Sequence, residues 1–319
     1  MFTNEELLAA DALKSIARDQ QIKKYIQQSS DLYPLLLRAA NRFVSGETRE
    51  EGIKKALELS ARGYMVSLEY IGENTKTIDD CVYAKNEFLA LIKEAGSQLT
   101  ETTVSLDLSH IGLSVDSDLA YKHIDELARE AKRLNVSIMI SMEEAAKTDK
   151  ILDVYKKVSE YYRNVGITIQ AYLERSVTDM KELLHYPGKV RVVKGAYQET
   201  EGVTIPRSQN LNERYLHLVD LLVQANHAVS IATHDETLIR EMHKRDYLSL
   251  PHVEVEMLYG IRPDLLKQLK EDHFKARVYL TYGTEWYLYL CHRLAEYPPN
   301  IYVAIADIVN PSDSDQNLY

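Results

Sequence analysis

Cysteine is scarce in this sequence, which has only Cys81 and Cys291 among its 319 residues and contains neither a CxxC motif nor a Cys/His cluster. This scarcity excludes a disulfide framework and a structural zinc site, and it is typical of a protein from a reducing compartment. The sequence also lacks any apolar run near the roughly 18 residues that a membrane span requires. We therefore expect neither a metal site nor a transmembrane helix.

The N-terminal stretch MFTNEELLAADALKSIARDQ lacks the basic segment and the following apolar segment that mark a secretion signal. Basic charge is also in deficit, since 38 Lys and Arg stand against 48 Asp and Glu, for a net charge of -10. A net acidic chain is a poor sequence-independent binder of nucleic acid. We expect a cytoplasmic protein without a nucleic-acid partner, whose membrane contact would be peripheral.

Residues 1–62 have helical spacing of their apolar positions, as in ELLAADALKSIA and REEGIKKALELSARG. This pattern predicts an N-terminal helical arm. From Gly63 onward the chain alternates between short β-branched runs and longer stretches with helical spacing. The clearest of these helical stretches are 78–98, 119–134, 151–162, 211–225 and 236–245, with a weaker one over the fourth crossover and another after Pro263.

Eight β-branched runs follow one another, at 64–71, 103–113, 136–142, 166–173, 189–197, 228–235, 252–260 and 277–283. Eight alternating strand and helix units predict an α/β fold of the (β/α)8 type, a TIM-type barrel over residues 63–310. A doubly wound sheet is the alternative, but no GxGxxG motif follows an early strand. The tail 311–319, PSDSDQNLY, is expected to be disordered.

Polar side chains at the strand ends are the candidates for a functional site, because barrel enzymes react at the carboxyl ends of their strands. Ser141 and Gln170 are as readily explained as satisfied hydrogen-bonding groups, His234 as a core histidine and Lys194 as a lysine at the barrel rim. Arg191, in the middle of KVRVV, is costly to bury without a partner. Its partner is either an internal carboxylate or a bound cofactor.

Several stretches, in order along nearly the whole chain, resemble the FAD-dependent proline dehydrogenases of the monofunctional bacterial type. They are RFVSGET (42–48), SLEYIGE (67–73), TIQAYL (168–173), VRVVKGAY (190–197), ATHDETLI (232–239), MLYGIRPD (257–264) and YLYLCHRLAEYPPN (287–300). The resemblance implies a distorted (β/α)8 barrel whose eighth helix crosses over the strand ends. It also implies non-covalent FAD at those ends, with the substrate between the flavin and that helix.

The same resemblance implies two groups of site residues. The cofactor contacts fall on Gln170, Arg191, Lys194, Thr233 and His234. The substrate-side and catalytic residues fall on Asp107, Ser141, Leu258, Tyr279, Tyr289, His292, Arg293 and Glu296. The family has two adjacent arginines in this helix, an arrangement suited to a carboxylate because each guanidinium offers two parallel donors. Tyr279 and Tyr289 are also explained as core aromatics in a chain with 22 tyrosines.

Three positions depart from the family pattern. His292 stands where the first arginine is usual, Asp107 where a lysine is usual, and Ser141 where an aspartate is usual. With a neutral histidine these changes make the site about two charges less positive, and the loss of one charge-assisted contact costs on the order of 1.5 to 3 kcal/mol. Asp107 is either a structural residue or a general base with a raised pKa.

The resemblance implies hydride transfer from the carbon beside a ring nitrogen to flavin N5, which converts a cyclic amine into a cyclic imine. The substrate is predicted to be proline or a proline-related cyclic amine, and the electron acceptor to be a quinone or oxygen. Two alternatives remain open at this point. One is a tailoring oxidoreductase acting on a proline derivative whose carboxylate is masked, amidated, absent or tethered to a carrier; the other is a catalytically degenerate barrel.

Overall fold

The computed structural model describes residues 3–17, 19–309 and 319. Its centre is a closed barrel in which every strand is parallel to its neighbours and the order around the barrel follows the order in the chain. The strands are β1 Met65–Tyr70, β2 Thr103–Leu106, β3 Ser137–Ile140, β4 Val165–Gln170, β5 Val190–Val193, β6 Val229–Ala232, β7 Val253–Leu258 and β8 Ala276–Tyr282. The predicted (β/α)8 barrel is confirmed.

Helices follow the strands as the apolar spacing predicts. The helices outside the strands of the barrel are α5 Ile78–Gln98, α6 Ser117–Arg133, α7 Thr148–Ser159, α8 Ser176–Leu183, α9 Gln209–Gln224, α10 Glu236–Lys244 and α11 Pro263–Glu271. Two short 3-10 turns lie at Ala145–Lys147 and Tyr247–Ser249. Side-chain caps fix several helix starts; Thr77, for example, accepts a hydrogen bond from the backbone N–H of Asp80 at the start of α5.

In the described part of the chain, four helices precede the barrel: α1 Asn4–Ala17, α2 Gln20–Gln28, α3 Leu32–Ala40 and α4 Arg49–Ala61. The fourth begins with a capping box between Thr48 and Glu51 and packs on β1 and β8. The first three instead form a separate apolar cluster with the two helices that follow β8, which are α12 Trp286–Glu296 and α13 Asn300–Val309. Helices α1, α2 and α3 therefore support α12 from the side away from the barrel.

The barrel strands are buried on both faces, and their residues alternate between two environments. Val66 and Leu68 of β1 belong to the core between strands and helices, whereas Ser67 hydrogen-bonds to Glu256 of β7 inside the barrel. The closing pair aligns Ser67 with Tyr279 and Glu69 with Thr281. The barrel interior is therefore polar in its middle, which is unusual for a layer filled only by packing.

The chain turns sharply from β8 into α12 at Gly283, whose φ of 132° favours glycine. A Cβ at this position would lie 3.2 Å from the ring of Tyr70. Trp286 at the start of α12 is fully buried against the arm, where its ring packs edge-on against Tyr33 at 5.1 Å. This geometry directs α12 across the carboxyl ends of the strands.

The predicted disordered tail lies outside the described residues over 311–318. Tyr319 is described, and its ring stacks on Tyr259 with 5.6 Å between the centroids. The backbone N–H of Gly260 donates to the Tyr319 hydroxyl at 2.9 Å. In the part of the chain that the structure describes, no helix combines the length and apolarity needed to cross a membrane.

Candidate active site

A cavity of about 630 Å³ lies at the carboxyl ends of the barrel strands and is covered on one side by α12. It receives side chains from, or just beyond, each of the eight strands. Twelve of the thirteen predicted site residues line it. They are Asp107, Ser141, Leu258, Tyr279, Tyr289, Arg293 and Glu296, together with Gln170, Arg191, Lys194, Thr233 and His234.

Arg191 is held by an internal carboxylate. Its Nε donates to Glu256 at 2.6 Å, and one of its terminal nitrogens donates both to Glu256 at 3.1 Å and to the hydroxyl of Ser105 at 2.7 Å. Glu256 also accepts from Ser67 and Ser230 at 2.6 and 2.9 Å. Although burial opposes ionisation, the Arg191 guanidinium holds the pKa of Glu256 below its usual range. Both charges are therefore retained in the barrel centre.

Tyr279 lies beside this ion pair and joins it to β1. The Arg191 guanidinium stands over the Tyr279 ring, 4.8 Å from its centroid. The Tyr279 hydroxyl donates to the carboxylate of Glu69 at 2.6 Å. Burial raises the pKa of Glu69, and burial together with Glu69 keeps the pKa of Tyr279 well above its ordinary value. Tyr279 is therefore fixed as a neutral phenol.

The ATHD stretch after β6 supplies three side chains with defined partners. The backbone N–H of Leu258 donates to His234 Nε2 at 3.0 Å, and that of Asp235 donates to the Thr233 hydroxyl at 3.2 Å. Burial, with help from the Arg293 and Arg262 cations, lowers the pKa of His234 to about 3. Lys194 pairs with Asp235 at 2.6 Å. The ends of β5, β6 and β7 are thus joined at the cavity wall.

Gln170 at the end of β4 is anchored through its amide nitrogen, which donates to the backbone carbonyl of Glu143 at 2.8 Å. The Glu143 carboxylate accepts from the backbone N–H of Ser109 at 2.9 Å and pairs with Lys147 at 2.7 Å. Lys147 also donates to Asn74 at 2.5 Å. This network fixes the loops that follow β1, β2 and β3.

Three residues of α12 face the cavity at positions i, i+4 and i+7: Tyr289, Arg293 and Glu296. Arg293 stands over the Tyr289 ring at 4.8 Å and donates through one terminal nitrogen to Glu296 at 2.9 Å. Its Nε and the Tyr289 hydroxyl are buried and have no hydrogen-bond partner among the described residues. Two donors of one helix face are thus left for a ligand.

His292 is the predicted site residue that the structure leaves outside the cavity lining. It precedes Arg293 and points about 100° away around the helix. Arg293 is therefore the basic residue that α12 presents to the cavity. The role of His292 stays a prediction.

Asp107, just beyond β2, and Ser141, just beyond β3, lie next to each other on the cavity wall. Burial raises the pKa of Asp107 well above its usual range, and the carboxylates of Glu143 and Glu69 add to this effect. Hydrogen bonding from Ser141 acts in the opposite direction. The wall that carries Asp107 is therefore electrostatically negative and favours a neutral acid or an incoming cation.

Sequence reasoning missed the carboxylates that organise the barrel interior. Glu256 lies 65 residues from Arg191 in the chain, and Glu69 lies 210 residues from Tyr279. The alternation in VEVEML was the available signal, because it places Glu254 and Glu256 on the same face of β7. The inward-facing residue Thr168 was missed as well.

The cavity meets the requirements of a large bound group. Thr168 is only 4% exposed and lines the cavity, yet its hydroxyl has no hydrogen-bond partner in the described ranges. Gly195 also lines the cavity, with φ of 104°, and a Cβ there would lie 2.1 Å from Tyr172. An unpaired buried hydroxyl and a mixed polar and apolar wall are what a cofactor site needs. The residues present therefore fit a flavin nucleotide.

Comparison with known proteins finds similarity over most of the chain. The family model described as proline dehydrogenase matches residues 52–299. Proline dehydrogenase 1 of Bacillus subtilis is 30% identical over 264 residues, covering 82% of this chain and 87% of its own. The proline dehydrogenase of Deinococcus radiodurans is 32% identical over 298 residues, covering 91% of this chain and 94% of its own.

Among solved structures, this chain is similar to proline utilization A (PutA) from Bdellovibrio bacteriovorus inactivated by N-propargylglycine, with a TM-score of 0.77 at 18% identity. The match covers 97% of this chain and 40% of that longer chain. PutA of Bradyrhizobium japonicum gives a TM-score of 0.70 at 17% identity, over 96% of this chain and 42% of its own. These likenesses support the barrel fold.

A closed (β/α)8 barrel with a polar cavity at its strand ends, roofed by the helix after the last strand, defines a barrel enzyme. With the family model matched over 52–299 and relatives of 30% and 32% identity, the chain belongs to the proline dehydrogenase family. It is an oxidoreductase that acts on the CH–NH group of its donor. The proteins of this family are flavoproteins.

Proposed function

We propose that this chain is an FAD-dependent enzyme that oxidises proline, or a closely related cyclic amino acid, to the cyclic imine. The observation that supports it most is the pair of unpaired donors on α12, the Arg293 Nε and the Tyr289 hydroxyl, which face the same cavity as the flavin-side residues. A guanidinium beside a phenol is a fitting receptor for a carboxylate. Glu296 accepts a hydrogen bond from a terminal nitrogen of the same guanidinium at 2.9 Å and helps to orient it.

FAD would be held by Gln170, Arg191, Lys194, Thr233 and His234. When bound, it supplies the acceptor for the hydride that leaves the carbon beside the ring nitrogen. The buried Arg191 cation favours negative charge on the reduced ring system, and its pairing with Glu256 keeps it in place. His234 accepts through Nε2, so its neutral ring carries a proton on Nδ1 for donation to a ligand.

On the substrate side, Arg293 and Tyr289 would bind the carboxylate and thereby orient the ring. Tyr279, fixed by Glu69, forms the wall next to Arg191. The helix α12 contributes Tyr289, Arg293 and Glu296 to the cavity lining, and it would shield the reacting carbon from water once the ligands are bound. The unpaired donors favour a free carboxylate over a masked one, because hydrogen bonds from the Arg293 guanidinium to a charged carboxylate are stronger than those to a neutral amide carbonyl.

The electrons must leave the enzyme after each turnover. A quinone and dioxygen are both acceptors of the required class, and the proposal includes either. A quinone acceptor is compatible with a cytoplasmic enzyme that touches the membrane surface peripherally. Reoxidation of the substrate-reduced protein by dissolved oxygen, compared with a water-soluble quinone, distinguishes the two.

An anaerobic spectral titration tests the proposal. Purified protein reconstituted with FAD is titrated with proline and, separately, with prolinamide, and the loss of flavin absorbance is followed. We expect proline to bleach the flavin at lower concentration than prolinamide does. Bleaching by prolinamide alone would indicate a carboxyl-masked substrate, and failure to retain flavin would indicate a degenerate barrel; either result contradicts the proposal.

A further inference from the structure

The carboxyl groups that line the cavity differ in how they are held. Glu256 is paired with Arg191, Asp235 with Lys194 and Glu296 with Arg293. Glu69 accepts a hydrogen bond from the Tyr279 hydroxyl at 2.6 Å. Asp107 is the cavity-lining carboxyl group for which the described residues provide neither an ion pair nor a fixing hydrogen bond beyond the hydroxyl of Ser141.

The groups that face Asp107 come from several elements and are acidic or neutral. Electrostatic interactions connect Asp107 with five groups. They are Glu69 of β1, Glu73 after β1, Glu143 after β3, Tyr197 after β5 and Tyr279 of β8. The nearby cation Lys147 is engaged by Glu143, Glu144 and Asn74. Among the described residues, none of the charged groups that act most strongly on Asp107 is a cation.

Unpaired polar atoms elsewhere in the same cavity show that it is built to hold a ligand. The Thr168 hydroxyl, in a residue 4% exposed, lines this cavity and finds no partner in the described part of the chain. The Arg293 Nε and Tyr289 hydroxyl lie on the roof formed by α12. A cyclic amino acid whose carboxylate engages that roof carries its positive charge on the ring nitrogen.

We propose that Asp107 is the catalytic residue that binds the ring ammonium of the substrate and removes its proton. This inference rests on the proposed oxidation of a cyclic amine. In the step, an N–H bond breaks and an O–H bond forms on Asp107, while the electron pair stays on nitrogen. The substrate cation and the carboxylate anion are neutralised together.

The step is needed because a protonated nitrogen has no lone pair from which a C=N bond can form. A carboxyl group with a raised pKa is a better proton acceptor for an ammonium than an ordinary carboxylate is. Burial and the neighbouring carboxylates of Glu143 and Glu69 raise the pKa of Asp107, and the hydrogen bond from Ser141 lowers it in part. The protonated acid returns its proton to solvent after the product leaves.

The pH dependence of flavin reduction by proline, measured with Asp107→Asn, Asp107→Glu and Ser141→Ala, tests this role. In the unmodified protein the rate should rise with pH through the ionisation of Asp107 and then level off. In Asp107→Asn we expect a loss of about 100-fold or more near neutral pH. That loss should disappear at alkaline pH, where the substrate amine is already neutral. Asp107→Glu should keep the acidic limb of the profile, which is the part in which the rate rises with pH.

Ser141→Ala should move the midpoint of the acidic limb to higher pH, because the hydrogen bond that favours the ionised form is removed. A structural role for Asp107 predicts no such movement. Unchanged profiles in both Ser141→Ala and Asp107→Asn would overturn the proposal. If Asp107→Asn does not fold, Asp107→Glu and Ser141→Ala still decide it.

A binding measurement separates this inference from the proposed function. N,N-dimethylpyrrolidinium carries a permanent ring cation and has no proton to lose. We expect its affinity to increase as pH rises through the ionisation of Asp107, and to fall about 10-fold or more in Asp107→Asn. Equal affinity in the two proteins at every pH would overturn the role of Asp107. Absence of flavin reduction by proline, with cation binding intact, would instead contradict the proposed function.

Discussion

The backbone N–H of Leu258 donates a hydrogen bond to His234 Nε2 at 3.0 Å. This bond joins the end of β7 to the loop after β6 and fixes the tautomer of a ring whose pKa burial lowers to about 3. A neutral ring that accepts through Nε2 must carry its hydrogen on Nδ1. The pair therefore sets both the shape and the hydrogen-bonding direction of this side of the cavity.

Replacing His234 with phenylalanine should leave the buried Leu258 N–H without an acceptor. An unsatisfied donor of this kind costs about 1 to 3 kcal/mol. We expect a loss of that size in the free energy of unfolding, measured with urea, and weaker retention of FAD. The matched substitution His217→Phe, at an exposed position of α9, should change the free energy of unfolding by no more than about 0.5 kcal/mol. Equal losses in the two variants would contradict this assignment.

The Arg191 and Glu256 pair should be among the most sensitive points of the barrel. The change Glu256→Gln leaves a buried guanidinium without its counter-charge, which costs about 3 kcal/mol or more. Asp264→Asn is the control, because Asp264 pairs with Arg262 at 2.9 Å but is 66% exposed, so that its loss should cost less than about 1 kcal/mol. Urea unfolding measures the loss of stability in both variants, because a shift of the midpoint at an unchanged m-value reports a change in the free energy of unfolding. A smaller effect at Glu256 than at Asp264 would be inconsistent with a buried pair.

The stability contribution of Glu254 should depend on pH. Although burial opposes ionisation, Arg277 and Lys189 lower the pKa of Glu254 to about 2 from an ordinary value of 4.5. A lowered pKa in the folded state stabilises the protein fully above the ordinary value and loses that effect as pH falls toward 2. The difference in unfolding free energy between the unmodified protein and Glu254→Gln should thus be constant above about pH 5. It should shrink on acidification; a difference that grows toward low pH would refute this reading.

The sequence was sufficient to predict the barrel because strand and helix periodicities are local. The predicted helix over 78–98 coincides with α5, and each of the eight β-branched runs contains or overlaps a strand. The strand ends were placed too far toward the carboxyl side, since the run 103–113 contains a strand that stops at Leu106. Asp107 lies just beyond that strand and lines the cavity, and the residues after it form turns although Leu108, Ile111 and Leu113 are apolar.

Contacts between distant strands could not be predicted in the same way. The sequence showed that Arg191 needs a partner, but Glu256 was identified only when the closed barrel brought β5 and β7 to one interior. The position of Arg293 at the cavity was predicted from a motif, and the structure adds that its Nε is left unpaired. The orientation of His292 away from the cavity lining depends on how α12 packs on the arm, which no local pattern specifies.

Arg293 should determine how the enzyme distinguishes a carboxylate from an amide. The change Arg293→Met preserves side-chain length and removes the charge, so one charge-assisted contact worth about 1.5 to 3 kcal/mol is lost. This corresponds to an affinity for proline that is about 10- to 100-fold weaker, with prolinamide affinity changed far less. Arg133→Met is the matched control, since Arg133 forms the same i,i+3 pair with Glu130 at 2.8 Å on the exposed face of α6. Spectral titration of the unmodified protein and the two variants measures these affinities. An equal loss of affinity for proline and prolinamide in Arg293→Met would show that Arg293 supports the fold of α12 and does not bind the substrate carboxylate.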